Sequence, residues 1–129
     1  MSKIHDPAPT RPELAILKRL WRGKSLTARQ IHDDINSEFD WSYSTLRTVL
    51  ERMHEKGLVE KSSEGSANSY AANVSKVSLL GGMIADFSKR VLEIDGAPST
   101  AFFAQSNLLS DGELKELEEM LNNAEEMKE

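Results

Sequence analysis

Ser42-Tyr-Ser-Thr-Leu-Arg-Thr-Val-Leu-Glu-Arg-Met-His-Glu-Lys-Gly57, continuing as Leu58-Val-Glu-Lys-Ser-Ser63, is the stretch on which the fold turns. Ser42 is an N-cap residue type, because a serine hydroxyl accepts from backbone N–H groups that the first helical turn leaves unpaired. Leu46, Val49, Leu50 and Met53 follow at i, i+3, i+4 and i+7, so one side of this helix is apolar and needs burial. Lys56 falls in the last turn, where a cation complements the free carbonyls, and Gly57 suits the left-handed residue that ends a helix. Leu58–Ser63 then reads as a strand, Glu64-Gly-Ser-Ala67 as a polar turn, and Asn68-Ser-Tyr-Ala-Ala72 as the return strand of a β-hairpin.

Upstream lie two more helices. Thr10-Arg-Pro-Glu13 has the spacing of a capping box, and Leu14, Leu17, Leu20 and Trp21 recur at helical spacing with Ile16 flanking, up to a stop at Gly23. Thr27-Ala-Arg-Gln30 is a second box opening a short helix with Ile31 and Ile35 inward. Residues 1–9 carry two prolines and read as a loose arm. Three helices followed by a hairpin within roughly 65 residues is the order of a winged helix-turn-helix. In that arrangement the first two helices hold the third clear of the body, free to enter a major groove about 12 Å wide.

The side of the third helix opposite its apolar stripe carries Ser44, Thr45, Arg47, Thr48 and Arg52. Short hydroxyls and guanidiniums donate to phosphates and read guanine edges, so these five are the candidate DNA-binding residues. Glu51 and Glu55 on the same helix repel phosphate and favour a plain solvated face instead. The hairpin tip has no lysine or arginine, leaving Lys61, Ser66 and Asn68 as the residues through which a wing would touch DNA; a simple solvent turn is the alternative.

The second half differs in character. Val77, Leu80, Ile84, Phe87, Val91 and Ile94 alternate steps of three and four, which predicts a helix about 28 Å long with a heptad-like seam, broken by Asp95-Gly-Ala-Pro98. Ala101-Phe-Phe-Ala104 follows, and then a third box, Ser110-Asp-Gly-Glu113, opens a helix with Leu114, Leu117 and Leu121 inward and acids outward. A domain of about 55 residues is marginal alone, so the seam together with Leu114, Leu117 and Leu121 predicts a homodimer interface. Gly81-Gly82 costs the helix about 1 kcal/mol per glycine relative to alanine, which close helix approach or a kink would explain. The expected organisation is an arm at 1–9, a winged-helix DNA-binding domain at 10–74 and a helical dimerisation domain at 75–129, mainly α overall.

Composition sets the function classes. The 129 residues carry a net charge of −5, which argues against nucleic acid until the halves are separated. Residues 1–74 hold 11 lysines and arginines against 10 acids, a net of +1, and residues 75–129 hold 5 against 11, a net of −6. The acidity belongs to the second half. With no cysteine there is no thiolate metal site and no thiol nucleophile. His5, His32 and His54 are scattered, and His32-Asp-Asp34 points its side chains about 100° apart. Neither catalysis nor a cofactor is expected. There is no apolar run long enough to cross a bilayer and no signal-peptide pattern, so the expected location is the cytosol.

Pro9-Thr-Arg-Pro-Glu-Leu-Ala-Ile-Leu-Lys-Arg-Leu-Trp21, Leu26-Thr-Ala-Arg-Gln-Ile31, Ser44-Thr-Leu-Arg-Thr-Val-Leu-Glu-Arg-Met53 and Lys56-Gly-Leu-Val59 together resemble the penicillinase-repressor family of BlaI/MecI type. The resemblance runs from about Thr10 to about Leu121. It implies a homodimeric repressor of palindromic operator DNA, with recognition contacts falling on Ser44, Thr45, Arg47, Thr48 and Arg52. It also implies induction by a sensor-linked protease cutting at Ala101–Phe102, where alanine stands in place of the family's usual asparagine. The cysteine metal site of the copper-responsive relatives has no counterpart here. The competing expectation is a winged-helix module that binds proteins and never touches DNA.

Overall fold

The computed structural model describes residues 8–63, 67–95 and 100–127, arranged in two compact units, Met1–Val74 and Ser75–Glu129. The first unit runs α1 (Arg11–Gly23), β1 (Ser25–Thr27), α2 (Ala28–Ile35), α3 (Tyr43–Glu55), β2 (Val59–Ser62) and β3 (Ser69–Ala72). Residues 1–7 of the expected arm and Glu64–Ser66 at the hairpin tip lie outside the described residues.

Each helix begins where a side chain takes over the unpaired N–H groups of the first turn. Thr10 Oγ1 accepts from Glu13 N–H at 3.3 Å while Glu13 Oε1 accepts from Thr10 N–H at 2.9 Å. Thr27 and Gln30 repeat the exchange at 3.1 and 2.9 Å. Ser42 Oγ caps α3 through Thr45 N–H at 3.1 Å. At the C-terminus of α3, Gly57 has φ +83°, its N–H donates to His54 O at 3.1 Å, and Leu58 N–H donates to Met53 O at 2.9 Å. These paired reverse bonds close the helix and aim the chain straight into β2. The end of α1 departs from expectation. Gly23 is its last helical residue, and the left-handed position is taken by Lys24 at φ +71°. Gly23 is instead constrained by space, since a Cβ there would lie 3.2 Å from Leu26 Cδ2.

The expected two-stranded hairpin is a three-stranded antiparallel sheet of order β1-β3-β2. Ser25, Leu26 and Thr27 pair with Ala71, Tyr70 and Ser69, while Lys61 faces Tyr70 from the other side. Thus β1 ties the start of α2 to the β3 strand of the wing. The core beneath is formed by Ile16, Leu17 and Leu20 from α1, Ile31 and Ile35 from α2, Leu46, Leu50 and Met53 from α3, and Leu58, Val59 and Tyr70. Ile16, read as flanking, lies in the centre of this core, whereas Leu14, Trp21 and Val49 are half-buried. The buried arc of α1 is wide because it meets both α2 and β3. Trp21 keeps its indole N–H at the rim, donating to Val74 O at 3.1 Å.

Glu13 is the one carboxylate among the described residues drawn into this core, 5% exposed. Lys56 Nζ, at the end of α3, reaches it at 2.9 and 2.8 Å, one bond to each oxygen. The capping glutamate of α1 therefore also anchors the C-terminal end of α3.

The second unit contains α4 (Lys76–Arg90), a single 3₁₀ turn (Thr100–Phe103) and α5 (Asp111–Met127). α4 stops before the seam does. Val91 and Leu92 N–H both bond to Phe87 O, Glu93 turns left-handed at φ +57°, and Ile94 N–H bonds to Ser88 O, so the chain reverses where the heptad pattern continues. Val91 and Ile94 are accordingly not helical seam positions. Val77, Leu117 and Leu121 form the unit's own core, with Ile84, Ala85, Phe103, Leu109 and Met120 packed against it. A Cβ at Gly81 would sit 2.5 Å from Met120 Sδ and 3.3 Å from Leu117 Cδ1, so close approach of α4 and α5 explains that glycine and α4 runs on without a break. Nothing described comes near Gly82. Ser110 and Glu113 exchange capping bonds at 3.2 and 2.9 Å, and Lys76 Nζ joins Glu113 at 3.1 Å and Leu108 O at 2.8 Å.

The Glu13–Lys56 pair yields a stability prediction. Removing one partner of a fully buried pair costs about 3–5 kcal/mol. Lys56 is 37% exposed and Glu13 retains Thr10 N–H, so Lys56→Met should cost less, about 2 kcal/mol. Urea unfolding measures it directly; an unchanged midpoint would show that the pair contributes nothing net.

Candidate nucleic-acid interface

The link from α2 to α3 is held by side chains on both helices. His32 Nε2 donates to Trp41 O at 2.7 Å, the carbonyl being able only to accept. Glu38 and Phe39 N–H both bond to Ile35 O at 2.9 Å. Arg19 of α1 reaches Glu38 at 3.3 Å and Asp34 at 4.0 Å. At the start of α3, the Tyr43 and His32 rings meet edge to face with centroids 5.9 Å apart, and the Arg29 guanidinium lies over the Tyr43 ring at 4.5 Å. The orientation of α3 is therefore set at its N-terminus by α2 and at its C-terminus by Lys56–Glu13.

Ser44, Thr45, Arg47, Thr48 and Arg52 are all exposed. With about 100° per residue, Ser44 and Thr48 occupy the middle of the outward arc. Arg47 and Glu51 lie on the flank towards the wing, and Thr45 and Arg52 on the other. Thr48 Oγ1 donates to Ser44 O at 3.2 Å, and Thr45 Oγ1 accepts from Ser42 Oγ at 3.0 Å, leaving each hydroxyl further hydrogen-bonding capacity. Neither Arg47 nor Arg52 has an ion-pair partner among the described residues.

Glu51, read from sequence as an obstacle to phosphate, is neutralised. Lys61 Nζ of β2 donates to Glu51 Oε2 at 3.0 Å, and Tyr70 OH to the same oxygen at 3.5 Å. The Lys61 hydrogen bond holds the Glu51 carboxyl below its ordinary range, and the same bond raises Lys61. Burial, and next the Glu51 charge, push the Tyr70 phenol up. Lys61 is therefore a tether between wing and α3, occupied by Glu51, and not the free wing cation that its position in sequence suggests. Asn68 is half-buried immediately before β3, and Ser66 lies outside the described residues. Glu55 stays exposed without an ion pair among the described residues.

The second-unit candidates separate into two sets. Val77, Leu117 and Leu121 are buried within the chain's own core, with Ile84 packed against them, while Leu80 and Leu114 are half-buried. Phe87, Val91 and Ile94 are 53%, 58% and 42% exposed, joined by Leu92 at 50%. Ala101 and Phe102 are exposed on the 3₁₀ turn, Phe102 at 78%. Among the described residues no group of His, Asp or Glu could hold a metal ion, and no helix is long and apolar enough to cross a membrane. Two features of the interface escaped the sequence reading: the Glu51–Lys61 pair and the Arg29–Tyr43 stack. Arg29 had a signal, being the second residue of the helix that precedes the recognition helix.

The model of the penicillinase repressor family matches residues 9–123. The methicillin resistance regulatory protein MecI of Staphylococcus aureus is 24% identical over 110 residues, 85% of this chain and 89% of that protein. The penicillinase repressor of Bacillus licheniformis is 25% identical over 121 residues, 94% and 93% of the two chains. The transcriptional regulator BlaI of Mycobacterium tuberculosis is 33% identical over 75 residues, 57% of this chain and 54% of its own. Among solved structures, the solution structure of Bacillus licheniformis BlaI, in monomeric form in complex with the blaP half-operator, is similar with a TM-score of 0.50 and 28% identity, covering 59% of this chain and 90% of that one. Three capped helices, a small winged sheet and a family match across nearly the whole length agree, and the chain belongs to the penicillinase repressor family.

Proposed function

We propose that the protein is a transcriptional repressor that binds two-fold symmetric operator DNA as a homodimer. Residues 10–74 bind DNA and residues 75–129 dimerise. The observation that carries the reading is the outward face of α3, where Arg47 and Arg52 stand without carboxylate partners among the described residues while Lys61 neutralises the neighbouring Glu51. The likeness to BlaI in complex with a half-operator supports it. The alternative of a protein-binding module has no comparable support. The reading is of a regulator and not of a catalyst: His32 is committed to Trp41 O, and His54 lies exposed late in α3. Induction by a protease partner is the further part of the proposal, supported by the exposure of Ala101 and Phe102 on a single turn.

Promoter DNA from the protein's own operon, titrated by fluorescence anisotropy across salt, tests the reading. Log affinity should fall with log salt by about 0.9 per phosphate neutralised. Arg47→Ala should cost about 1–3 kcal/mol on the specific site and relax one base position, and Arg52→Ala should weaken all sequences alike. No binding at any salt refutes DNA recognition; equal loss of specificity from both changes refutes the division of roles.

The dimer surface proposed is the exposed apolar group at the end of α4, Phe87, Val91, Leu92 and Ile94. Phe87→Asp places a charge in its middle, and sedimentation should then give a folded monomer with operator affinity reduced at least about tenfold by the lost bivalency. Retention of the dimer with unchanged affinity would place the interface elsewhere.

A further inference from the structure

The recognition-helix arginines are not the only guanidiniums at the DNA-facing end of the first unit. Arg29 is the second residue of α2, exposed, and without an ion pair among the described residues although Asp33 stands four residues on in the same helix. Its guanidinium lies over the face of Tyr43, 4.5 Å from the ring centroid, and Tyr43 is the first residue of α3. Tyr43 is itself held in an edge-to-face contact with His32, whose Nε2 is bonded to Trp41 O. Tyr43 and Arg47 are four apart and so share a flank of α3. Arg29 is thus positioned one turn before Arg47, beside the first residues of the recognition helix.

Stacking uses one face of a guanidinium and leaves the N–H donors at its edge free. A planar fork held in place, with edge donors open to solvent, matches the oxygens of a phosphodiester, which arginine binds with two parallel bonds. In helix-turn-helix docking, the helix before the recognition helix crosses the DNA backbone while the first residues of the recognition helix reach base edges. An arginine on that preceding helix, already resting against the first residue of the recognition helix, meets backbone rather than bases. We infer that Arg29, pre-oriented by the ring of Tyr43, binds a backbone phosphate of each operator half-site. This rests on the DNA-binding reading above and adds to it a contact outside α3. Arg29 supplies the sequence-independent affinity, and Tyr43 is a positioning residue acting through it.

The experiment uses the full chain with two duplexes of equal length, the promoter fragment from its own operon and a scrambled sequence, titrated across salt, with melting temperature measured for every variant. Arg29→Ala should weaken both duplexes by similar factors and flatten the salt dependence by about 0.9 per half-site. Tyr43→Leu should weaken both while leaving the slope as in the parent, because the charge is kept and only its placement is lost. Tyr43→Phe, which keeps the ring, should restore parent affinity. An Arg29→Ala variant with the parent slope and affinity, in a protein where Arg47→Ala still weakens specific binding, overturns the inference and spares the DNA-binding reading. An Arg29→Ala variant with a lowered melting temperature and an unchanged slope would make the stack purely structural and overturn it equally. A parent chain that binds neither duplex at any salt overturns both.

Discussion

A carboxylate taken out of water sets the geometry of the first unit. Glu13 has three demands to meet, as residue N3 of α1, as acceptor for the Thr10 N–H and as a charge at 5% exposure, and Lys56 meets the last by bonding both oxygens. An isolated buried carboxylate is strongly unfavourable, so positions of α3 that withdraw Lys56 are penalised. The chain between the partners includes all of α2, so one ion pair closes a loop around the helix-turn-helix. Gly57 immediately follows Lys56, and its left-handed turn sends the chain into β2. The wing therefore inherits its direction from the same anchor.

Charge pairing resolves the conflict between a net charge of −5 and a nucleic-acid interface. Glu13 is matched to Lys56, Glu51 to Lys61, and Asp34 and Glu38 to Arg19. The partly exposed Glu51–Lys61 and Arg19 pairs matter less for stability, to which such bridges contribute about 0–1 kcal/mol, than for what they remove from the surface potential. Glu51 would project negative charge beside Arg47; with Lys61 at 3.0 Å the two largely cancel at the distance of a docked backbone.

What could be read from the sequence was local. The capping boxes at Thr10/Glu13, Thr27/Gln30 and Ser110/Glu113 need only three-residue spacing, and their bonds form as that spacing requires. The exposed set on α3 followed from periodicity alone. What could not be read depended on partners distant in the chain. β1 is three residues long, too short for alternation to register, and exists because β3 offers Ser69–Ala71. The role of Lys61 depended on Glu51 across the turn after α3. The seam through Ile94 misled because hydrophobic periodicity records which residues are apolar and not where the backbone reverses; Val91, Leu92 and Ile94 keep the pattern after their N–H groups have turned back on Phe87 and Ser88.

That reversal changes the energetics of the proposed dimer. Fully burying a Phe, Val, Leu or Ile contributes about 1.5–3 kcal/mol. Phe87, Val91, Leu92 and Ile94 are already about half covered, so four from each copy would supply on the order of 10 kcal/mol gross. Association costs about 4–15 kcal/mol in lost freedom. The two are close, so this patch alone supports a dimer of modest affinity, unlike a continuous heptad seam, which would hold two copies together permanently. DNA alters the balance: once one recognition helix occupies a half-site, the second copy meets both a half-site and an apolar patch at raised effective concentration. On the proposed reading, dimerisation and operator binding are then a single linked equilibrium, in which weakening either contact weakens both.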